Sequence, residues 1–525
     1  MMPSSFGTAS VSRRRVLSLA AGVTALAAAS PLRRATAQVT PEASPLPSTL
    51  AADASPQFRA VVEALGAAMR AHQVPGAAIG LLTGDREEHA TVGLASLSSM
   101  RPVTPETLFQ IGSLSKTYTA TVIWRLIDEG ALAPDKPVRT WIPDLTLMDE
   151  EVAAKLTIGN LLDHSAGFYG DEGFDTGDDD EAIARYVANR LPHLPQIFPL
   201  GAFFSYNNAG FTLLGRLIEV AAGTAYNAAM GNLLLGPLGL DDTLLDHAAV
   251  LRRPYADGHV ALPINGRPAV AVATPLWVPR SADPAGGIWA TTRDVLRYGR
   301  FHLATGTIAG PANIVSPNSL RQMQEPAMPI PGTSLQIGRN WFVQDVAGMR
   351  VFSHDGDTLG QHTDFLAIPA QQFALIVLTN CLRGGGLAAT AALDAALAQF
   401  PALTPLVGKL GLTHALLAPA GAPTVTLSAD DLTAYAGRYA DPGQVLTFAR
   451  SGDGLTVTQE QLIQPGSWQP AIQPPPGPGP AVPLTFLAKD IALVNGARVP
   501  FVRDASGRVQ WVSDGARLVP RVAGD

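Results

Sequence analysis

The chain of 525 residues has a single cysteine, Cys381, and only five lysines among its 37 basic side chains. One thiol excludes an internal disulfide and any multi-cysteine metal site. Charged residues make up 15% and aromatics 6%, whereas apolar residues reach 47%. That balance excludes a disordered polyelectrolyte and supplies a sizeable core. Basic tracts are absent beyond residue 35 and the net charge is −7, which argues against nucleic-acid binding by counterion release. The sequence contains no G-x-S-x-G elbow, no H-E-x-x-H pair and no G-x-x-x-x-G-K-[ST] loop. A standard α/β-hydrolase, that zinc-protease pattern and a P-loop nucleotide site are therefore disfavoured.

The first 37 residues read as an address. Ser12-Arg13-Arg14-Arg15-Val16-Leu17 has the form of a twin-arginine export signal. The apolar run Val16–Ser30 is shorter than the roughly 20 residues a membrane-spanning helix needs. Ala35-Thr36-Ala37 offers small residues for cleavage. A periplasmic or extracellular protein without a stable membrane span is expected. Without residues 1–37 the chain carries 32 basic and 44 acidic groups, a net of −12.

Beyond a Pro-, Ser- and Ala-rich lead-in at 38–55, apolar spacing predicts helices over 56–72, 114–128, 208–222, 292–304 and 388–400. Strands are expected at 77–82, 349–353, 364–368 and 373–379. This is an α/β (α+β) pattern: a mixed sheet flanked by helices, with a helical subdomain, over 56–400. Residues 401–426 read as a linker. Short strand candidates between 445 and 513, separated by Gly, Asp or Asn turns, predict a small all-β domain over 427–525. The acidic stretch 171–181 lacks EF-hand spacing and reads as a solvated loop. No cofactor or metal is expected.

Three short motifs carry the chemistry. Ser113-Leu114-Ser115-Lys116 places a hydroxyl and an amine three residues apart, on one helix face. Arginine cannot give up its proton, whereas a buried lysine can; a lysine kept amid 32 arginines is a candidate base. At a helix start the unpaired N–H groups add anion-binding donors. Nucleophilic acyl transfer needs these parts. An N-cap serine beside a solvated lysine is the plain structural alternative. The second motif is Tyr206-Asn207-Asn208. A tyrosine beside a lysine ammonium can have its pKa lowered enough to act as a base, and an asparagine amide can donate to a substrate carbonyl. The third is His354-Asp355-Gly356, expected at the end of a strand whose edge can receive an extended substrate.

In order and separation, these motifs resemble the serine β-lactamase and penicillin-binding-protein superfamily, especially its class C β-lactamase-related branch. Val74-Pro75-Gly76, Pro105–Lys116, Leu161–Gly167 and Pro284–Leu296 are similar to further family segments. The stretch from Leu432 to Tyr439 onward resembles the lipocalin-like β-barrel domain appended to some members, which implies a small barrel over 427–525. The resemblance implies that Ser113 is the acylated nucleophile and that Lys116 and Tyr206 share acid–base work. It implies an oxyanion hole from the backbone N–H groups of Ser113 and Asp357. Asn208 would orient substrate, and His354 would stand where many relatives have lysine. His164 is read as structural.

One departure bears on substrate. Many β-lactam-handling relatives have Ser or Thr where this chain has Asp355, and an inward aspartate repels a substrate carboxylate. The expected activity is therefore cleavage of a small ester, amide or peptide, with little β-lactamase action. An acyltransferase using the same acyl-enzyme and a non-catalytic sensor are the alternatives. Homo-oligomerisation is left open.

Overall fold

A computed structural model describes residues 46–524 apart from 172, 265–266, 305–313, 420 and 463–476. The export signal, Glu172 of the acidic loop and the start of the proline-rich stretch at 474–483 lie outside the described residues. In chain order the elements used below are β1 (Ser48–Leu50), α1 (Pro56–His72), β2 (Gly76–Thr83), β3 (Arg86–Ser96), α2 (Ser115–Asp128), α3 (Asn208–Ala222) and α4 (Thr292–Leu303). There follow β4 (Phe342–Val346), β5 (Met349–Asp357), β6 (His362–Ile368), β7 (Phe373–Thr379), α5 (Leu382–Ala398) and α6 (Gly411–Leu416).

The main sheet is antiparallel and runs β1-β3-β2-β7-β6-β5-β4, continued by Gln336–Ile337 and Met328–Pro329. Its central strand β7 is buried along its whole length. That explains the unbroken apolar run Phe373–Thr379: both faces are covered. On one face Phe58, Val61, Leu65 and Met69 of α1 share a core with Ala388, Ala392, Leu393 and Ala396 of α5. On the other, α2, α3 and α4 bury Ile123, Phe211, Leu214 and Leu296 in one larger cluster. Each such aliphatic or aromatic side chain contributes about 1.5–3 kcal/mol relative to exposure. Local signals set the helix ends. Ser55 caps α1 by accepting from the Phe58 N–H at 3.1 Å. Asn207 caps α3 by accepting from Gly210 at 2.7 Å, and Gly223, with φ 66°, ends it.

Three expectations are corrected. Within the predicted flexible lead-in, Ser48–Leu50 pairs with Val92–Ala90 as an edge strand. Helix α5 begins at Leu382, not at 388, and includes Gly384, Gly385 and Gly386. A Cβ on Gly384 or Gly385 would strike the His72 carbonyl or Thr379 Oγ1, so these glycines are close-packing residues inside the helix. Strand β5 runs on through Asp357, so the His354 motif lies within the strand rather than at its end.

The tail opens with a short helix, Ala429–Tyr435, which the expected all-β pattern did not include, and is otherwise built of strands. Its strands are β8 (Gly437–Asp441), β9 (Gln444–Ser451), β10 (Gly454–Gln461), β11 (Val482–Pro483), β12 (Thr485–Ala488), β13 (Ile491–Val494), β14 (Ala497–Arg503), β15 (Val509–Asp514) and β16 (Arg517–Pro520). They group as sheets of four and five strands. A Tyr439–Arg521 bridge joins the sheets at one side, and the Leu484 N–H donates to Leu455 O at the other. Tyr435, Tyr439, Phe448 and Phe501 fill the core between them. The tail docks on the helical side of the catalytic unit. Trp511 packs with Phe198 and Leu518 and donates from its indole N–H to Ile197 O at 2.9 Å. No described helix is long and apolar enough to cross a membrane.

Candidate active site

Ser113 sits in a single 3-10 turn, Gly112–Leu114, that leads directly into α2. The turn packs backbone to backbone against β5, and two glycines permit this. A Cβ on Gly112, whose φ is +54°, would lie 2.7 Å from the Asp357 N, and one on Gly356 would lie 2.9 Å from the Ser113 N and closer still to Ile111 O. The two backbone N–H groups expected to form an oxyanion hole are thus brought beside each other by glycine contacts.

Lys116 is fully buried. Its Nζ donates to Ser113 Oγ at 3.1 Å and to Ala285 O at 2.6 Å. Burial, then the nearby Arg517 guanidinium, hold the amine well below its ordinary range, against Asp171 and Asp355, which raise it. A neutral amine in contact with a serine hydroxyl can take its proton. Nζ also lies 4.8 Å from the centre of the Tyr206 ring.

Tyr206 is nine-tenths buried and stacks on His164 at 4.5 Å. Burial drives its hydroxyl above the usual phenol range, and the Ser113 side chain opposes that only in part. The expectation of a lowered tyrosine pKa is therefore overturned. The ring is covered by protein, and Asp355 and Asp171 disfavour the phenolate against Arg517, which favours it. His164 accepts from the Asn207 N–H at 3.0 Å, the structural role expected of it.

His354 is buried, and its Nδ1 donates to Asp355 O at 2.6 Å; a carbonyl can only accept. Burial pushes its pKa down to about 3. It therefore offers a neutral ring, 5.0 Å from Phe342 and 6.2 Å from Tyr206, and not the positive charge of a lysine. On β5 the register sets Asp355 opposite Asp364 and Asp357 opposite His362. His362 Nδ1 and Asp357 Oδ1 are 2.7 Å apart. Burial and then Asp357 push Asp355 up to about 7. Near neutral pH Asp355 is only partly ionised, which weakens the repulsion expected of it.

Asn208 opens α3, and its amide donates to Asp171 Oδ1 at 2.7 Å. The cleft at the nucleophile, of ≈ 400 Å³, is lined by Ser113, Tyr206, Asp355 and Asp357 together with Phe342, Leu412, Leu416, Gly515, Ala516 and Arg517. Ser113, Lys116, Tyr206 and His354 are thus assembled around one point beside Gly356 and Asp357, while Asn208 is turned to Asp171. The wall from α6 and from the β15–β16 turn was not signalled by any motif. Arg517 pairs with Asp171, which removes that residue from the solvated loop expected of 171–181. Among the described residues no group of three or more His, Cys, Asp or Glu could hold a metal.

Comparison with known proteins shows the family of the chain. The family model described as Beta-lactamase matches residues 58–400. The chain is 33% identical over 317 residues to penicillin-binding protein 4 of Amycolatopsis lactamdurans, covering 59% of this chain and 81% of that one. It is 31% identical over 238 residues to esterase EstB of Burkholderia gladioli, covering 39% of this chain and 59% of the esterase. The crystal structure of SurE superposes with a TM-score of 0.68 at 24% identity, over 89% of this chain and 99% of SurE. That likeness is one of fold, and it extends past the residues the family model matches. The chain belongs to the beta-lactamase family, whose members include serine hydrolases.

Proposed function

Starting from that family membership, we propose that the protein is an exported serine hydrolase that cleaves a small ester or amide through an acyl-enzyme on Ser113, with little β-lactamase activity. The observation that carries this reading is the buried Lys116 amine, 3.1 Å from Ser113 Oγ. In this reading Lys116 takes the Ser113 proton as Oγ attacks the substrate carbonyl. The N–H groups of Ser113 and Asp357 receive the developing oxyanion. Tyr206, a neutral phenol, passes a proton between Lys116 and the leaving group, and water then releases the acyl group by the reverse path. Lys116 and Tyr206 titrate as a pair. His354 supports the Tyr206 ring without adding charge, and Asn208 reaches substrate only by exchanging its bond to Asp171. We read residues 1–37 as a cleaved twin-arginine signal and the tail as lipocalin-like.

Turnover of p-nitrophenyl acetate tests the reading. Wild type is expected to hydrolyse it, and Ser113→Ala to lose about 1,000-fold or more in kcat/KM. Cephalosporin hydrolysis at rates typical of a dedicated β-lactamase would contradict the substrate assignment. Products carrying an added alcohol or amine in place of water would mark an acyltransferase.

A further inference from the structure

The tail reaches the catalytic centre through the β15–β16 turn, Gly515, Ala516 and Arg517. Arg517, at the start of β16, pairs with Asp171, and its Nη2 also lies 3.2 Å from Asp171 Oδ1. Its guanidinium carbon is 4.9 Å from the centre of the Tyr206 ring, the same ring that Lys116 Nζ meets at 4.8 Å. The turn before it is tied to the site by backbone bonds. The Tyr206 N–H donates to Ala516 O at 3.0 Å, and the Leu518 N–H to Ser205 Oγ at 3.0 Å. Two basic side chains thus share one aromatic ring, and only one of them can lose its proton.

We propose that Arg517, supplied by the C-terminal unit, is a positioning residue of the serine centre: anchored to Asp171 and set against Tyr206, it keeps Lys116 in the neutral state that accepts the Ser113 proton. The proposal rests on Ser113 being the nucleophile. It assigns the tail a part in catalysis that a mere lid or oligomer contact would lack.

The charged and titratable groups around Lys116 come from every packed element. Arg517 acts from β16. Asp171 follows Gly170, the residue whose carbonyl accepts from the Asn208 N–H. His354, Asp355 and Asp357 lie on β5, and His164 on the segment after Ile158–Leu162. Asp283 precedes Ala285, the carbonyl partner of Lys116. Among these groups Asp171 and Asp355 favour the ammonium, and Arg517 opposes it. Losing Arg517 removes a cation and leaves Asp171 without that partner. Both changes favour the ammonium. Losing the Asp171 charge does the opposite.

The test is the rate of fluorophosphonate labelling of the full-length protein from pH 5 to 10, read by intact mass. Arg517→Gln is expected to move the acidic limb upward by about half a pH unit or more, slowing labelling several-fold at pH 7 while leaving the alkaline plateau near wild type. Arg517→Lys, which keeps the charge, should leave the limb near its wild-type position. Asp171→Asn should move it downward. Equal slowing of Arg517→Gln at every pH, or a downward shift in place of an upward one, would overturn the proposal and leave Arg517 a docking residue. If Arg517→Gln fails to fold, the direction of the Asp171→Asn shift decides alone, an unmoved or upward limb refuting it. Absence of labelling in wild type would refute the Ser113 reading, and the proposal with it.

Discussion

Ser113 and Arg517 line the same cleft and arrive there by different routes. The Ser113 side is built from contacts a few residues long: a turn running into α2, with the base one helical step away. Its distant requirements are few: the close approach of Gly112 and Gly356, a backbone contact that tolerates no side chain, and the Ala285 carbonyl and Tyr206 ring that Lys116 meets. The Arg517 side depends on a separate apolar core, on Trp511 docking, and on an ion pair to a residue 346 positions earlier. The first is fixed by local geometry, the second by assembly of two units. Damage to the first should abolish chemistry, whereas damage to the second should tune it.

The largest effect should come from Gly356→Ala. The added carbon meets Ile111 O and Ser113 N, so β5 and the nucleophile turn must separate. A displaced oxyanion donor costs about 100-fold or more in rate, and kcat should fall by at least that much while circular dichroism stays native. Near-normal kcat would show that the two N–H groups are not the working oxyanion site.

Trp511→Ala acts on the other region. It removes the bond to Ile197 O and the contact with the Phe203 ring, 5.0 Å away. Truncating a packed tryptophan costs about 3–5 kcal/mol, seen as loss of the tail's thermal transition. Turnover should fall only several-fold, because Ser113 and Lys116 stay in place. Unchanged turnover with a detached tail would break the link drawn between the two regions.

Asp283→Asn should have the smallest effect, and one confined to stability. Burial pushes the Asp283 carboxyl up to about 8 from 3.8. Between those values the native state holds a proton that the unfolded chain has released, so this group's contribution to stability falls as pH rises. Asparagine removes that slope. Urea unfolding should show the variant gaining roughly 3–4 kcal/mol at pH 8 relative to pH 5. An equal difference at both pH values would show that Asp283 is already ionised in the native protein.

Much of the Ser113 side was legible because short-range chemistry leaves short motifs: Ser113 with Lys116, Tyr206 in Tyr206-Asn207-Asn208, and the glycine of His354-Asp355-Gly356. The long amphipathic helices and the apolar strand β7 were legible for the same reason, since their periodicity states which faces are buried. What failed did so where a neighbour far along the chain decides. Gly384–Gly386 look like helix breakers until His72 and Thr379 are seen packed against them. Tyr206 looked like a residue with a lowered pKa until the protein around it made the phenolate costly. Asp171 looked solvated within an acidic loop, and Arg517 stood in a tail with no motif around it. Their pairing was invisible because neither residue's spacing carries information about the other.

The account's central claim is that Ser113 is an activated nucleophile served by a neutral Lys116. Intact mass after incubation with a fluorophosphonate, and separately with a penicillin, tests it most directly, with Ser113→Ala as control. One fluorophosphonate adduct on wild type and none on the variant is predicted, with little or no penicillin adduct. No adduct on wild type, or an adduct that persists in Ser113→Ala, would contradict it.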